Sequence, residues 1–433
     1  MIGIIILLVM LGIEVGFMVY CFVTKSYQKE NKYILRVSLF VLLLLLFLLH
    51  GLTWGFRYTM LTFILLLMVI VGTIQFFRGK YKKVVIFKKK YVIMTCIRNM
   101  LLFTFAIMPA ILFPQFKPIE ITGNYDVKTV SYTLTDDSRK ETFSDNEESR
   151  KVTIEFWYPD QMNEQYPLLV FSHGSFGFRG SNRSTFENLA SNGYVVCSID
   201  HTYHSFFTSQ TDGKSVLVNM DFMNDAIAAT NGDFDEQTTF QKTQEWLDLR
   251  TKDMNFVLDT IEDEVSKDNS GEVYQLINTD EIGLFGHSLG GATAARLGRD
   301  RDDIDAVIVV DGTMLGEELA FEKGSVVINK TPYPIPLLNM YNEEHYEEAK
   351  STADHYANTV ATAGAIDAKD IVIHGSGHLN FTDLPLFSPF LASMLGTGEV
   401  DSRYCIETMN QIILDYFNYY MKHTTELNLK TEY

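Results

Sequence analysis

Four apolar stretches occupy the first quarter of this 433-residue chain and restrict what that part can fold into. They cover about residues 2–23, 37–54, 58–77 and 91–113. Each is close to the roughly 20 residues that a helix needs to cross a bilayer. The fourth is the weakest, because Arg98 and Asn99 interrupt it and Pro109 bends it. We predict a transmembrane helical region at 1–113 and a soluble domain at 114–433.

The first stretch is interpreted as a retained helix and not as a cleaved signal peptide. It lacks a basic leading segment and a small-residue cleavage site, and further apolar stretches follow it. Its acidic residue, Glu14, would be costly against lipid. Glu14 is therefore expected to face the other helices.

Charges in the loops predict the orientation of these helices. The second loop carries only Arg57, whereas the first and third are strongly basic: Lys25, Lys29, Lys32 and Arg36, then Arg78, Lys80, Lys82, Lys83, Lys88, Lys89 and Lys90. Cytoplasmic loops of membrane proteins are enriched in Lys and Arg, so the N-terminus is expected outside. If the fourth stretch crosses, the soluble domain is extracytoplasmic, which we favour. If it only lies on the membrane surface, the domain is cytoplasmic.

The two parts of the chain carry opposite charge. Residues 1–113 hold 13 Lys/Arg and two acidic residues, a net charge of +11, whereas residues 114–433 hold 23 Lys/Arg and 52 Asp/Glu, a net charge of −29. The acidic part lacks the basic clusters that contact phosphates, so we expect no nucleic acid partner. The expected partner of the helices is the lipid bilayer. The four cysteines show no metal-site spacing, and a Cys197–Cys405 disulfide stays open.

Short β-rich runs alternate with helical segments after residue 113. The candidate strands are 127–134, 152–158, 168–172, 194–200, 281–285, 306–311, 335–341 and 370–374. Several are continuously apolar, as in "YPLLVFSHG" and "DAVIVVDG", which is typical of strands buried on both faces. The pattern predicts an α/β fold with a mostly parallel, eight-stranded sheet flanked by helices.

The segment "LFGHSLGGATAARLG" carries the strongest chemical signal. Ser288 stands in Gly-x-Ser-x-Gly between a strand and a small-residue helix, where tight packing needs glycine on both sides. Such a turn presents the serine hydroxyl at the carboxyl edge of the sheet. The helix that follows offers its first backbone N–H groups, starting with Leu289, to a developing oxyanion. We interpret Ser288 as a nucleophile.

A serine nucleophile needs a base and an orienting acid. His378, in a Gly-rich loop after the last predicted strand, is favoured over His374, which directly ends that strand. Asp311 ends the strand after Ser288 and is favoured as the acid. The alternatives are Glu343 and Glu344, which follow the next strand and open an acidic run.

The segment "FSHGSFGFRGSN" predicts the second half of an oxyanion hole. A His-Gly turn after a strand lets a backbone N–H near Ser175 point into the site, opposite the N–H of Leu289. His173 is interpreted as a structural residue of this loop.

These pieces together resemble the platelet-activating-factor acetylhydrolase-like branch of the α/β-hydrolases, in particular its membrane-anchored bacterial type. The matching stretches are "TGNYDVKTVSYTLTD", "IEFWYPD", "YPLLVFSHGSFGFRGSN", "SIDHTY", "IGLFGHSLGGATAARL", "VVDGTMLG" and "HLNFTDLPL", within about residues 105–425. The resemblance implies an α/β-hydrolase fold, with Ser288, Asp311 and His378 as catalytic residues and backbone donors at Ser175 and Leu289. It also implies no metal or cofactor, and short or oxidised acyl esters, other lipids or soluble esters as substrates.

Residues 202–240 depart from the family pattern after their first few positions. This segment follows a strand edge, where lids and acyl pockets are built. Its apolar side chains form either a substrate pocket or a loop packed on the core: Phe206, Phe207, Leu217, Met220, Phe222 and Met223.

The leading hypothesis is a membrane-anchored serine hydrolase that cleaves carboxylic esters through an acyl-enzyme. The first alternative is a peptidase or an acyltransferase on the same fold. The second is a non-catalytic ectodomain on a hydrolase scaffold.

Overall fold

A computed structural model describes residues 2–79, 86–144, 147–162, 164–267, 270–352, 355–424 and 426–433. Lys80, Lys82 and Lys83 of the predicted third basic loop lie outside these residues. The chain divides into two compact units. The first comprises Met1–Lys117 with Leu386–Ala392, and the second comprises Pro118–Pro385 with Ser393–Tyr433.

The first unit is built from four helices that are long and apolar enough to cross a membrane. They are α1 (Ile2–Thr24), α2 (Lys29–Leu48), α3 (Phe56–Phe77) and α4 (Lys89–Leu112). The second helix begins eight residues before the apolar stretch 37–54 and ends six residues before it does. Its first turns are basic, and its last turn is followed by His50 in a left-handed conformation (φ 56°). The apolar run therefore marks a membrane-compatible stretch better than it marks the helix ends.

Three buried polar side chains from different helices of this unit bond to one another. The carboxylate of Glu14 accepts from Arg36 and, at 2.9 Å, from the side-chain amide of Asn99. All three side chains are buried, so α1, α2 and α4 are joined by one polar network. Around it the helices pack through apolar side chains such as Leu61 and Phe103.

A segment distant in sequence belongs to this first unit. The Phe387 ring lies 5.0 Å from the Phe113 ring, and the Ser388 hydroxyl donates to the Leu112 carbonyl at 2.6 Å. Leu386–Ala392 therefore caps the end of α4, which the predicted boundary between 113 and 114 does not anticipate.

The second unit contains the predicted eight-stranded sheet. Its strands are β1 (Val127–Lys140), β2 (Ser149–Pro159), β3 (Tyr166–Ser172), β4 (Val195–Asp200), β7 (Ile277–His287), β8 (Ala306–Val310), β11 (Leu337–Tyr341) and β12 (Ala368–Val372). The order is β1-β2-β4-β3-β7-β8-β11-β12, antiparallel as far as the β2–β4 pair and parallel beyond it. All eight predicted strands are confirmed as members of this sheet.

Helices cover the sheet, and the core forms between the two. They are α5 (Arg183–Ser191), α7 (Glu236–Val265), α8 (Leu289–Asp300), α9 (Glu343–Ser351), α10 (Ala357–Gly364) and α13 (Ser402–Tyr420). Two short helices, α11 (Leu384–Phe387) and α12 (Pro389–Leu395), carry the segment Leu386–Ala392 that belongs to the first unit. On α7, Met254, Val257 and Ile261 are fully buried against the sheet. Their spacing of three and four residues matches the helical period and places them on one face of α7.

Two small hairpins and one helix complete the unit. The hairpins pair β5 (Phe207–Ser209) with β6 (Ser215–Leu217) and β9 (Glu318–Glu322) with β10 (Ser325–Ile328), and the helix is α6 (Met220–Asn231). The sequence analysis predicted neither hairpin. All four cysteines are described, and each is buried and free, so Cys197 and Cys405 form no disulfide.

Candidate active site

Five neighbouring strands end at the sheet edge where the predicted catalytic residues lie. The strands β3, β7, β8, β11 and β12 are adjacent and mutually parallel. Gly174 follows β3, Ser288 follows β7, Asp311 follows β8, Asn342 follows β11, and His378 lies in the loop after β12. Because parallel strands all finish at one edge, residues distant in sequence meet there.

Ser288 occupies a strained turn between β7 and α8. Its backbone has φ 56° and ψ −126°, a conformation that residues other than glycine rarely adopt. Its N–H donates to the Val310 carbonyl at 2.8 Å, and α8 begins at the next residue. Strain of this kind is typical of a serine presented on a sharp strand-to-helix turn.

The two glycines that flank Ser288 are sterically required. A Cβ on Gly290 would lie 1.9 Å from the Ser172 carbonyl oxygen. A Cβ on Gly286 would lie 2.2 Å from the Gly290 carbonyl oxygen. Both obstacles are backbone atoms, which cannot swing aside, so the turn excludes any side chain at either position.

Asp311 is fully buried and accepts four hydrogen bonds. The donors are Nδ1 of His378 at 2.6 Å, Nδ1 of His345 at 2.9 Å, and the backbone and side-chain amides of Asn342 at 2.9 and 2.6 Å. Burial raises the pKa of Asp311, but the hydrogen bonds and charges of the two histidines outweigh it and hold the pKa well below its usual range. The carboxylate is therefore ionised.

His378 has one ring nitrogen committed and one available. An ionised carboxylate can only accept, so Nδ1 of His378 carries a proton and Nε2 is left as the basic atom. Burial lowers the pKa of His378, but the hydrogen bond with Asp311 and its charge raise that pKa above the ordinary value of 6.5. The side chain is 43% exposed, so solvent and small molecules can reach the ring.

The Ser288 hydroxyl and the His378 ring are not yet joined by a hydrogen bond within the described residues. Such bonds are often loose in unliganded hydrolases and tighten when substrate binds. The His287 ring lies beside His378, with centroids 4.6 Å apart, and burial lowers the pKa of His287 to about 3. His287 is therefore neutral and adds no charge beside the base.

The loop after β3 approaches the serine closely. A Cβ on Gly174 would lie 2.9 Å from Nδ1 of His287 and 3.2 Å from Cβ of Ser288, so glycine permits this approach. The N–H groups of Ser175 and Leu289 donate to no other group in the described part of the chain. Both N–H groups are therefore available to an oxyanion, and their role in an oxyanion hole stays a prediction.

His173 lies beneath this loop and is fully buried. Its Nδ1 contacts the Gly174 carbonyl at 2.6 Å, and its Nε2 contacts the Ser205 hydroxyl at 2.7 Å. A carbonyl only accepts, so Nδ1 carries the proton and Nε2 accepts from Ser205. Burial and the Arg250 charge lower the pKa of His173, which keeps the ring neutral. These contacts fit the structural role predicted for it.

Arg250, a buried residue of α7, fixes the same loop. Its guanidinium donates to the His173 carbonyl, to the Gly174 carbonyl at 3.4 Å and to the His204 carbonyl at 3.2 Å. Burial lowers the pKa of Arg250 to about 9. The side chain therefore joins the loop after β3 to the loop after β4.

The alternative base and one of the alternative acids, His374 and Glu343, contact each other. Nδ1 of His374 lies 3.2 Å from Glu343, and its Nε2 lies 3.4 Å from Glu432. Both members of the His374–Glu343 pair are exposed, whereas Asp311 is buried and contacts His378 at 2.6 Å. The geometry therefore favours Asp311 and His378 over the alternatives that the sequence left open.

The apolar side chains of 202–240 separate into two groups. Phe206, Phe207 and Met220 are exposed, and they could meet a ligand. Phe222 is 3% exposed; its ring stacks on His204 at 3.8 Å and meets Trp246 edge-on at 5.3 Å. Phe222 thus belongs to the small core that anchors α6, and the pocket role of the other three stays a prediction.

Three polar residues of the site were missed by the sequence analysis: Asn342, His345 and Arg250. Asn342 begins α9 and accepts from the His345 N–H at 2.9 Å, which is the signature of a helix N-cap. That cap places His345 one turn into α9, against Asp311. An Asn followed by an acidic run could have suggested the cap, but the side-chain contacts arise only from the fold.

The fold and the site define an α/β-hydrolase. The family model described as platelet-activating factor acetylhydrolase, isoform II, matches residues 149–431, and the chain belongs to that family.

Similar curated proteins agree with this assignment, and a solved structure shares the fold. The platelet-activating factor acetylhydrolase of Canis lupus familiaris is 26% identical over 59% of this chain and 57% of its own length. The platelet-activating factor acetylhydrolase of Cavia porcellus is 24% identical over 63% of this chain and 62% of its own length. The chain thus spans about three fifths of these relatives. A ferulic acid esterase from Streptomyces cinnamoneus has the same fold, with a TM-score of 0.54 and 19% identity over 72% of this chain and 95% of that one.

Proposed function

We propose that this chain hydrolyses carboxylic esters by a Ser288–His378–Asp311 triad. The observation that carries the proposal is the 2.6 Å contact between buried Asp311 and His378, one strand away from the strained turn of Ser288. An ionised, buried acid holds the histidine with its free Nε2 as the base. Family membership supports ester hydrolysis as the reaction.

Acylation starts at the hydroxyl of Ser288. Nε2 of His378 takes the hydroxyl proton as Oγ attacks the ester carbonyl, and Asp311 stabilises the imidazolium that forms. The oxyanion accepts from the N–H groups of Ser175 and Leu289. His378 then returns the proton to the leaving alcohol, and an acyl-Ser288 ester remains.

Deacylation repeats these steps with water as the nucleophile. His378 removes a proton from water, which attacks the acyl carbonyl, and the same two N–H groups stabilise the second oxyanion. Collapse releases the free acid and returns the proton to Ser288. The chain supplies the nucleophile, the base, the acid and the oxyanion donors of this cycle, and water is the second substrate.

The substrate class we propose is a lipid ester or an ester with a short acyl chain. The curated relatives are named acetylhydrolases, which supports a short acyl group. Apolar helices at the N-terminus keep the enzyme at a bilayer, where lipid esters are concentrated. Exposed Phe206, Phe207 and Met220 supply apolar contact at the sheet edge.

We further propose that the catalytic domain is extracytoplasmic. With the basic loops in the cytoplasm, the N-terminus lies outside, and four crossings return the chain to that side. The length and apolarity of Lys89–Leu112 support a fourth crossing. A reporter fused after Pro118 should be active outside the membrane; activity only in the cytoplasm would contradict this placement.

A panel of esters with graded acyl chains tests the reaction. Full-length protein should release free acid from short-chain or phospholipid esters, and Ser288→Ala should not. Cleavage of peptide amides in preference to esters would favour the peptidase alternative, and transfer of the acyl group to an added alcohol would favour the acyltransferase. No turnover of any ester, with Ser288→Ala identical to the wild type, would revive the non-catalytic alternative.

A further inference from the structure

The helical unit contains a cavity of about 200 Å³ at the end that bears the first and third loops. Its walls come from α1, α2, α4 and the loop between α1 and α2. Apolar side chains such as Phe17, Met18 and Val92 form one part, and Lys29 and Lys32 form another. The cavity is therefore amphipathic, with basic groups where the helices end.

The cavity lies along the seam between α1 and α2, which pack on each other less closely than on the other helices. In this unit α1 packs mainly on α4, α4 on α3, and α3 on α2. At the cavity end, polar side chains of α2 reach α1: Arg36 bonds to Glu14, Asn31 to the Tyr20 hydroxyl at 3.1 Å, and Lys32 lies over the Phe17 ring at 5.9 Å. An acyl chain can lie along such a seam.

The charge of the cavity is positive. Glu14 lines it, but both of its carboxylate oxygens are already bonded, one to Arg36 and one to Asn99. Lys29 and Lys32 form no ion pair with any residue that the structure describes. Two ammonium groups with no direct ion pair in the described residues therefore line a space that also has apolar walls.

We propose that this cavity binds the phosphate headgroup of an anionic phospholipid, with the acyl chains along the α1–α2 seam. Basic pockets between transmembrane helices at a cytoplasmic face bind such headgroups, and each lysine near the surface adds about 1 kcal/mol. Free phosphate offers the same oxyanion to Lys29 and Lys32 but leaves the apolar walls unfilled. A zwitterionic headgroup brings its own cation against the lysines.

The test is native mass spectrometry of the full chain in detergent, titrated with phosphatidylglycerol, phosphatidylcholine or inorganic phosphate. The cavity variant is Lys29→Gln with Lys32→Gln. Its matched control, Lys25→Gln with Lys88→Gln, removes two exposed charges from the same end but does not touch the cavity. Thr95→Trp fills the cavity and changes no charge.

The wild type should retain one phosphatidylglycerol in preference to phosphatidylcholine. The cavity variant should bind it roughly thirtyfold more weakly, which corresponds to the loss of two lysine contacts. The control should change by less than threefold, and Thr95→Trp should lose the lipid. Unchanged circular dichroism would show that each variant is folded.

Three results would overturn the proposal. If both double variants bound phosphatidylglycerol equally weakly, the lipid would be held by the general positive charge of this end and not by the cavity. Full retention of the lipid by Thr95→Trp would place it elsewhere. Displacement of the lipid by millimolar inorganic phosphate would assign the cavity to the free anion.

Discussion

The Glu343–His374 and Asp311–His378 pairs lie at the same edge of the sheet, and they differ in burial. Glu343 and His374 are 3.2 Å apart with side chains 51% and 46% exposed. Asp311 and His378 are 2.6 Å apart, and the Asp311 side chain is 0% exposed. Exposed ion pairs contribute little because water screens them. A buried acid that is fully hydrogen-bonded holds its histidine in one orientation.

The pairs also differ in what surrounds the acid. Glu343 accepts from the Gly375 N–H and from His374, and these hydrogen bonds lower its pKa. Asp311 accepts from two histidines and from both amides of Asn342. Both acids thus lie close to a histidine. What distinguishes Asp311 is that its carboxylate is buried and accepts four hydrogen bonds.

The largest expected effect is the difference in ester hydrolysis between variants of His378 and His374. His378→Ala removes the base, and ester hydrolysis should fall by about 10⁴- to 10⁶-fold. His374→Ala is the matched control and should stay within about twofold, because its pair is exposed and lies outside the proposed triad. Steady-state kcat/KM on a short-chain ester measures both. Comparable losses of kcat/KM in the two variants would contradict the assignment of His378 as the base.

Substitutions of Asp311 and Glu343 should differ in their effect on kcat almost as much as those of the two histidines. Asp311→Asn keeps the shape but loses the charge that orients His378, so kcat should fall by about 10⁴-fold. Glu343→Gln, which removes one exposed charge, should have nearly wild-type kcat. A loss at Glu343 as large as that at Asp311 would reinstate Glu343 as the acid.

The His345–Asp311 contact should have an intermediate effect. His345→Phe removes one donor to a buried carboxylate and should lower kcat about tenfold with little change in KM. Its Nε2 also contacts the Tyr356 hydroxyl, so Tyr356→Phe should have a smaller effect in the same direction. A raised KM with normal kcat would mean that His345 contacts substrate and does not position Asp311.

The smallest change is a shift in pH dependence. His378 must be neutral to act as a base, and Asp311 raises its pKa above 6.5. Activity should therefore fall as the pH drops through a midpoint above 6.5. In Asp311→Asn the residual activity should have a midpoint at lower pH, because the charge that raised the pKa is gone. An unchanged midpoint would mean that Asp311 does not act on His378.

The sequence was sufficient to predict the sheet and the polar residues that its strand ends bring together. The eight strands could be predicted because continuous apolar runs and flanking turns are local signals, and Ser288 because its turn requires Gly286 and Gly290. The choice of Asp311 needed chain order and family resemblance, since Glu343 also follows a strand.

Other features depend on contacts that no local pattern records. Arg250 lies in the middle of a long helix, 77 positions from the His173 carbonyl that it binds. Leu386–Ala392 joins the helical unit although more than 270 residues separate Leu112 from Ser388. Phe222 has the same apolar character as Phe206, and only packing against Trp246 separates them.

The most direct test of the central claim is to trap the acyl-enzyme. Full-length protein is mixed with a chromogenic short-chain ester, quenched in acid within milliseconds and digested, and the peptides are weighed. The proposed mechanism predicts a burst of leaving group and an acyl mass on the peptide that contains Ser288, both absent in Ser288→Ala. Steady hydrolysis with no acyl mass on that peptide, or hydrolysis that persists in Ser288→Ala, would contradict it.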